Sequence, residues 1–161
     1  MSNSFNFTGV MDKFRRTQRD LPVLLANQAQ TYFADTFKQQ GIEGQGWKEV
    51  KRRIPGTPEY KYPKFKGLQR RESPILVGAG YRKRGGTLRA RVNRSVMEKT
   101  WTRIRLAVDL PYAKIQNEGG MAGRNHAANI PARPYMKHTR ELETKQRQII
   151  DTQMNKIWTS E

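Results

Sequence analysis

The chain has 161 residues, enough for one ordinary domain around a single core and too few for two full ones. It has no cysteine, which excludes a disulfide framework and a thiolate zinc site, and no apolar run approaches the roughly 20 residues a membrane span needs. With 31 Lys and Arg against 14 Asp and Glu, a net charge of +17 and a hydrophobic fraction of 35%, the expectation is an oligomer with exposed arms or surface completed by neighbouring subunits.

The opening MSNSFNFTGVMDKFRR lacks the basic-then-apolar order of a secretory signal, so a soluble protein made in the cytoplasm is expected. From Met11 to about Gln40 the spacing predicts a helix, with Asp20 capping a turn that starts at Leu21 and Pro22. Leu21, Leu24, Leu25, Gln28, Tyr32, Phe33 and Phe37 fall along one side, which predicts a core face. Gly41, Gly44 and Gly46 end the helix. Trp47 after that break reads as a core anchor pinning the loop.

Residues 47 to 73 read as a basic loop or arm, with prolines and aromatics among lysines and arginines. Tyr60, Tyr62 and Phe65 either stack on bases while the cations neutralise phosphates, or tether the arm to protein. The charge surplus is concentrated here and just beyond: residues 47 to 105 hold 18 basic and 4 acidic side chains. Such a block predicts contact with a polyanion, nucleic acid or an acidic protein surface, and Lys51, Arg52 and Arg53 are its first cluster.

Pro74-Ile75-Leu76-Val77 reads as a short strand. The next segment places Gly80, Gly85, Gly86 and Thr87 at phosphate-loop spacing, but glycine stands where that loop needs its lysine. A cationic turn carrying Arg82, Lys83 and Arg84 is the reading that remains. Residues 87 to 97 alternate with period two, and residues 101 to 109 repeat the alternation across the link Glu98-Lys99-Thr100, which predicts an antiparallel hairpin. Burying Leu88, Ala90, Val92, Val96, Ile104, Leu106 and Val108 would gather Arg89, Arg91, Arg103 and Arg105 on the opposite face, a site for phosphate or an acidic partner.

Residues 111 to 136 form a bridge. Tyr112 to Glu118 allows a turn or two of helix, stopped by Gly119 and Gly120, and MAGRNHAAN reads as a mobile loop. Ile130-Pro131-Ala132-Arg133-Pro134 cannot be helical and predicts an extended arm or edge strand suited to docking on another chain. Residues 137 to 159 are helical in pattern, with Thr139 as the cap and Leu142, Ile149, Ile150, Met154, Ile157 and Trp158 as the apolar stripe.

YAKIQNEGG followed by a polar loop and IPARPYM resembles the signature of the bacteriophage virion morphogenesis or tail completion family, which includes neck and head–tail joining proteins. Upstream features keep the family's order over about residues 20 to 140: the helix through Phe37, Gly44 to Trp47, the basic proline-containing linker, ILV and TLR. Gln116 stands where the family has histidine, and ILVGAGYRKRGGTLR is longer than the family's compact segment. The resemblance implies an α+β fold, an antiparallel β-sheet flanked by an N-terminal and a C-terminal helix, in one tail-completion-like domain. It implies a six-fold ring of identical subunits at the head–tail junction or the tail's upper end, meeting connector or adaptor proteins, tail tube or terminator proteins, and DNA in the channel without sequence choice. Subunit docking then falls to Tyr112, Ile115, Ile130, Pro131, Arg133, Pro134 and Tyr135. The virion would be its location, with no membrane partner and no cofactor.

The other classes have less to stand on. A free-standing, sequence-nonspecific nucleic-acid-binding protein suits the charge but shows no helix-turn-helix, zinc finger or RNA-recognition motif. An enzyme would have to work with His126 and His138, 12 residues apart, and neither sits in a nucleophile, base or metal set.

Overall fold

The computed structural model describes residues 6–61, 74–76 and 87–159. They belong to two compact units, the first made of Met1–Gln30, Val96–Ala107 and His138–Glu161, the second of Thr31–Ser95 and Val108–Lys137. The fold is α+β, and among the described residues its antiparallel strands lie in three separate two-stranded ribbons, where a single sheet was expected.

Helix α1 runs over Phe7–Gln39. Asn6 starts it, its Oδ1 accepting from Gly9 N at 2.9 Å and its carbonyl from Val10 N at 3.2 Å. Because the first turn is capped there, no new N-terminus is needed at Leu21. The helix passes through Pro22, and Asp20 pairs with the exposed Arg19 at 2.8 Å, so the cap expected from Asp20 does not form. Leu21, Tyr32, Phe33 and Phe37 are buried as their spacing predicts, joined by Ala26, Ala29 and Thr36, while Leu24 faces solvent.

In the first unit, β3 (Val96–Lys99) pairs antiparallel with β4 (Ile104–Leu106), in the register Val96 to Leu106 and Lys99 to Ile104. The turn is closed by Thr100, whose N donates to Arg103 O at 2.7 Å and whose Oγ1 accepts from Arg103 N at 3.0 Å. Helix α5 (Arg140–Trp158) begins at Thr139 as expected, with Thr139 Oγ1 accepting from Leu142 N at 3.2 Å. Leu142 and Ile157 are buried, and the pairs Glu141 with Lys145 and Glu143 with Arg147 lie one turn apart on its exposed side.

The second unit opens with β1 (Gly41–Ile42) and β2 (Gln45–Gly46), joined by Glu43 and Gly44. Both link residues have positive φ, 50° and 74°, the backbone a two-residue hairpin turn requires. The segment expected as a loose arm folds back as far as Lys61: a 3-10 turn at Lys51–Arg53 and helix α2 (Pro58–Lys61) are held together by Thr57 Oγ1, which donates to Lys51 O at 2.6 Å. Residues 62–73 and 77–86, which include Tyr62, Phe65, the glycine-rich segment and Arg82, Lys83 and Arg84, lie outside the described residues. Ile75 and Leu76 form a turn and not a strand, with Leu76 at φ 62°.

Most of the strand expected at 87 to 97 is instead helix α3 (Leu88–Val92), with Thr87 Oγ1 capping Ala90 N at 3.2 Å, and of that stretch only Val96 and Met97 belong to a strand. Leu88 and Val92 suit either period, since they are four apart; the cap and the helix formers Leu, Arg and Ala decide for the helix. Helix α4 (Ala113–Glu118) ends at Gly119 as predicted. The presumed mobile loop is a hairpin, β5 (Gly120–Ala122) against β6 (Ala128–Ile130), turned by a 3-10 tip at Arg124–His126.

Candidate anion-binding site

The two motif segments fold against each other within the second unit. Asn117, on α4, uses its whole amide: Oδ1 accepts from Tyr135 N and Met136 N, both at 3.0 Å, and Nδ2 donates to Met136 O at 3.1 Å. Arg133 N donates to Gln116 O at 2.9 Å, and Tyr135 Oη donates to Ala113 O at 3.1 Å. Gly119 has φ 79°, and a Cβ there would stand 2.7 Å from Ala132 N, so only glycine lets the extended strap, residues 130 to 136, approach. The strap is latched to α4 by one main-chain bond and by the Asn117 and Tyr135 side chains, because its prolines allow no helix or continuous ladder of its own.

The other side of the strap meets the segment after α1. Trp47 is 7% exposed, and its Nε1 donates to Pro134 O at 2.8 Å. Its ring stands edge-on to Phe37 at 5.6 Å, while Tyr135 lies tilted on Phe37 at 5.4 Å. Trp47 is therefore the anchor its position suggested.

Of the residues expected to dock on another chain, Arg133 and Tyr135 are only 8% and 3% exposed. Ile115, Ile130, Pro131 and Pro134 are half-buried, and of the expected docking residues Tyr112 alone is exposed, at 44%. Burial pushes the Tyr135 hydroxyl up to about 12 from its usual 10. Since the unfolded tyrosine ionises first, its contribution is intact below pH 10 and is lost as pH rises from about 10 to about 12. In denaturant titrations across that window, Tyr135→Phe should show a shallower alkaline loss of stability than the wild type.

Arg52, Tyr112 and Arg133, expected in two different roles, line one cleft with Gln116, Val50, Ile75, Leu76 and Leu88, around a cavity of about 340 Å³. Arg133 Nε donates to Lys48 O at 3.2 Å, and its terminal nitrogens have no partner among the described residues. Arg52 donates to Pro74 O at 3.1 Å. Burial lowers the pKa of both guanidinium groups; the charges of Arg53 and Arg133 lower that of Arg52 further, and Glu49 partly offsets the effect at each. Gln116 Oε1 is buried without a hydrogen-bond partner. Sequence reasoning marked Gln116 only as a departure from the resembled signature and did not name it as a site residue.

The remaining cations do not form the expected arginine face. Arg89 and Arg91 lie on α3, and of Arg103 and Arg105 only Arg105 belongs to a strand. Arg103 sits at the turn and pairs with Glu98 at 3.5 Å. Arg53 pairs with Glu49 at 3.3 Å, while Lys51, Arg89, Arg91 and Arg105 are exposed. No group of three or more His, Asp or Glu among the described residues is placed to hold a metal ion, and no helix among them is long and apolar enough to cross a membrane. No protein-family model, curated protein or solved structure matches the chain.

Proposed function

We propose that the chain is a structural virion protein of a tailed bacteriophage, a tail completion or neck subunit that assembles as a ring around the DNA channel at the head–tail junction or the tail's upper end. The observation that carries the assembly is the surface of the first unit. It leaves Phe7 65%, Met97 63% and Trp158 70% exposed, beside a half-open Trp101 stacked edge-on with Phe14 at 6.2 Å. Large apolar groups in such number are covered when subunits meet. A ring repeats one heterologous contact until it closes.

Two further features support the reading. The motif residues shared with the tail completion family build one interlocked element, the latch between α4 and the strap. The exposed Arg89, Arg91, Arg94 and Arg105 have no ion-pair partner among the described residues, which suits weak, sequence-blind contact with phosphates in a channel. Native mass measurement and electron microscopy of the purified protein test the proposal. Discrete rings are the expected result, and Met97→Ser with Trp158→Ser should return the protein to monomers without unfolding it. A wild type that stays monomeric, also when mixed with connector and tail proteins, overturns it.

A further inference from the structure

The turn between β3 and β4 carries a side chain that neither packing nor turn geometry calls for. Thr100 and Arg103 close it, Trp101 and Thr102 stand at its tip, and every residue from Lys99 to Arg103 is exposed. Tight turns draw on Gly, Asn, Asp, Ser and Pro, which supply the backbone angles or local hydrogen bonds a reversal needs; tryptophan supplies neither. Trp101 also gains little burial for its size, being 42% exposed. Its ring meets Phe14 of α1 at 6.2 Å and an interplanar angle of 69°. An edge-on contact steadies the indole and leaves at least one of its faces untouched by the phenyl ring. What surrounds that ring is positive: Lys99, Arg103 and Arg105 flank it along the ribbon, and Lys13 precedes Phe14 on α1. Glu98 is the single acid between Val96 and Ala107, and it pairs with Arg103 at 3.5 Å. Lys99 and Arg105 have no carboxylate partner among the described residues.

We infer that the β3–β4 turn binds single-stranded nucleic acid, with an unpaired base stacked on Trp101 and the neighbouring phosphates met by Lys99, Arg103 and Arg105. An apolar protein surface seated on the indole would strip water from those cations without replacing it. A nucleic acid strand satisfies both parts of the turn, since each of its units brings a phosphate for the cations and a flat aromatic face for the ring. The base has to be unpaired, because within a duplex each base already has neighbours above and below it. This contact differs in kind from the phosphate contact of a DNA channel, which needs no aromatic ring.

The test is fluorescence anisotropy at physiological salt with a fluorescein-labelled oligothymidylate of about 12 nucleotides, compared with an abasic strand of the same length and with a DNA duplex. Phosphatidylglycerol vesicles, read by co-sedimentation, serve as a second anionic surface. The wild type should bind oligothymidylate at least about tenfold more tightly than the abasic strand, which has the same charge and no base to stack. Trp101→Leu should remove that difference and leave duplex binding unchanged, while Trp101→Phe keeps most of it. Lys99→Gln and Arg105→Gln should each lower the slope of log affinity against log salt by about 0.7. Lys114→Gln, which removes an exposed cation of α4, should leave the preference for oligothymidylate over the abasic strand unchanged. Thermal melting and native mass check that each variant folds and assembles as the wild type does. As a second measurement, in fluorotryptophan-labelled wild type the Trp101 resonance should move on titration with oligothymidylate while that of the buried Trp47 stays. Equal affinity for the two strands, a Trp101→Leu loss shared by abasic strand and duplex, a Trp101 resonance that does not move, or Trp101-dependent binding of vesicles in place of oligothymidylate would each overturn the inference. Rings are detected with the protein alone, so none of these outcomes bears on the ring assignment.

Discussion

Asn117→Ala should lower the stability of the chain by about 3 kcal/mol, since three hydrogen bonds of roughly 1 kcal/mol each are lost and two main-chain donors of the strap are orphaned. Few polar side chains hold so much backbone at once: one amide receives Tyr135 N and Met136 N and donates to Met136 O. Asn117→Asp separates the two halves of that amide. It keeps the oxygen that serves both donors but turns the donation to Met136 O into a contact between two oxygens, so it should recover only part of the alanine loss. Thermal and urea denaturation monitored by circular dichroism measure both. Equal losses for alanine and aspartate would mean that the double acceptor is not what holds the strap.

The second large effect is at Trp47. Trp47→Ala removes a buried ring packed on Phe37 and should cost about 3 to 5 kcal/mol. Trp47→Phe retains an aromatic partner for Phe37 but leaves Pro134 O without its donor, for a loss of about 1 to 2 kcal/mol. The gap between the variants, read from denaturation midpoints, divides packing from hydrogen bonding at this anchor. If phenylalanine is as damaging as alanine, the indole N–H dominates.

What was legible in the sequence was local. Thr139 three residues before Leu142 announced a cap, Gly119 announced the end of α4, and Trp47 after a glycine-rich break announced an anchor; each depends on a few neighbouring residues. The segment from Thr87 to Val92 was ambiguous because Leu88, Ala90 and Val92 satisfy an alternating pattern while Leu88 and Val92 also share a helix face. With that segment helical, the four-arginine face could not form. The strap was legible as extended, because proline dictates it, but backbone geometry does not say which side of an extended segment is covered. Its cover comes from Phe37, Trp47 and Asn117, brought in by the fold. The cleft was illegible for the same reason, as its lining is drawn from five stretches between Val50 and Arg133.

The bond from Trp47 to Pro134 spans 87 positions of the chain. At the ribosome, where about 5 to 20 residues are added each second, Trp47 emerges roughly 4 to 17 seconds before the carbonyl that receives its indole. For that interval Phe37 and Trp47 lack the Tyr135 ring and the Pro134 carbonyl that meet them in the folded unit, and their closure waits on the proline-bracketed segment.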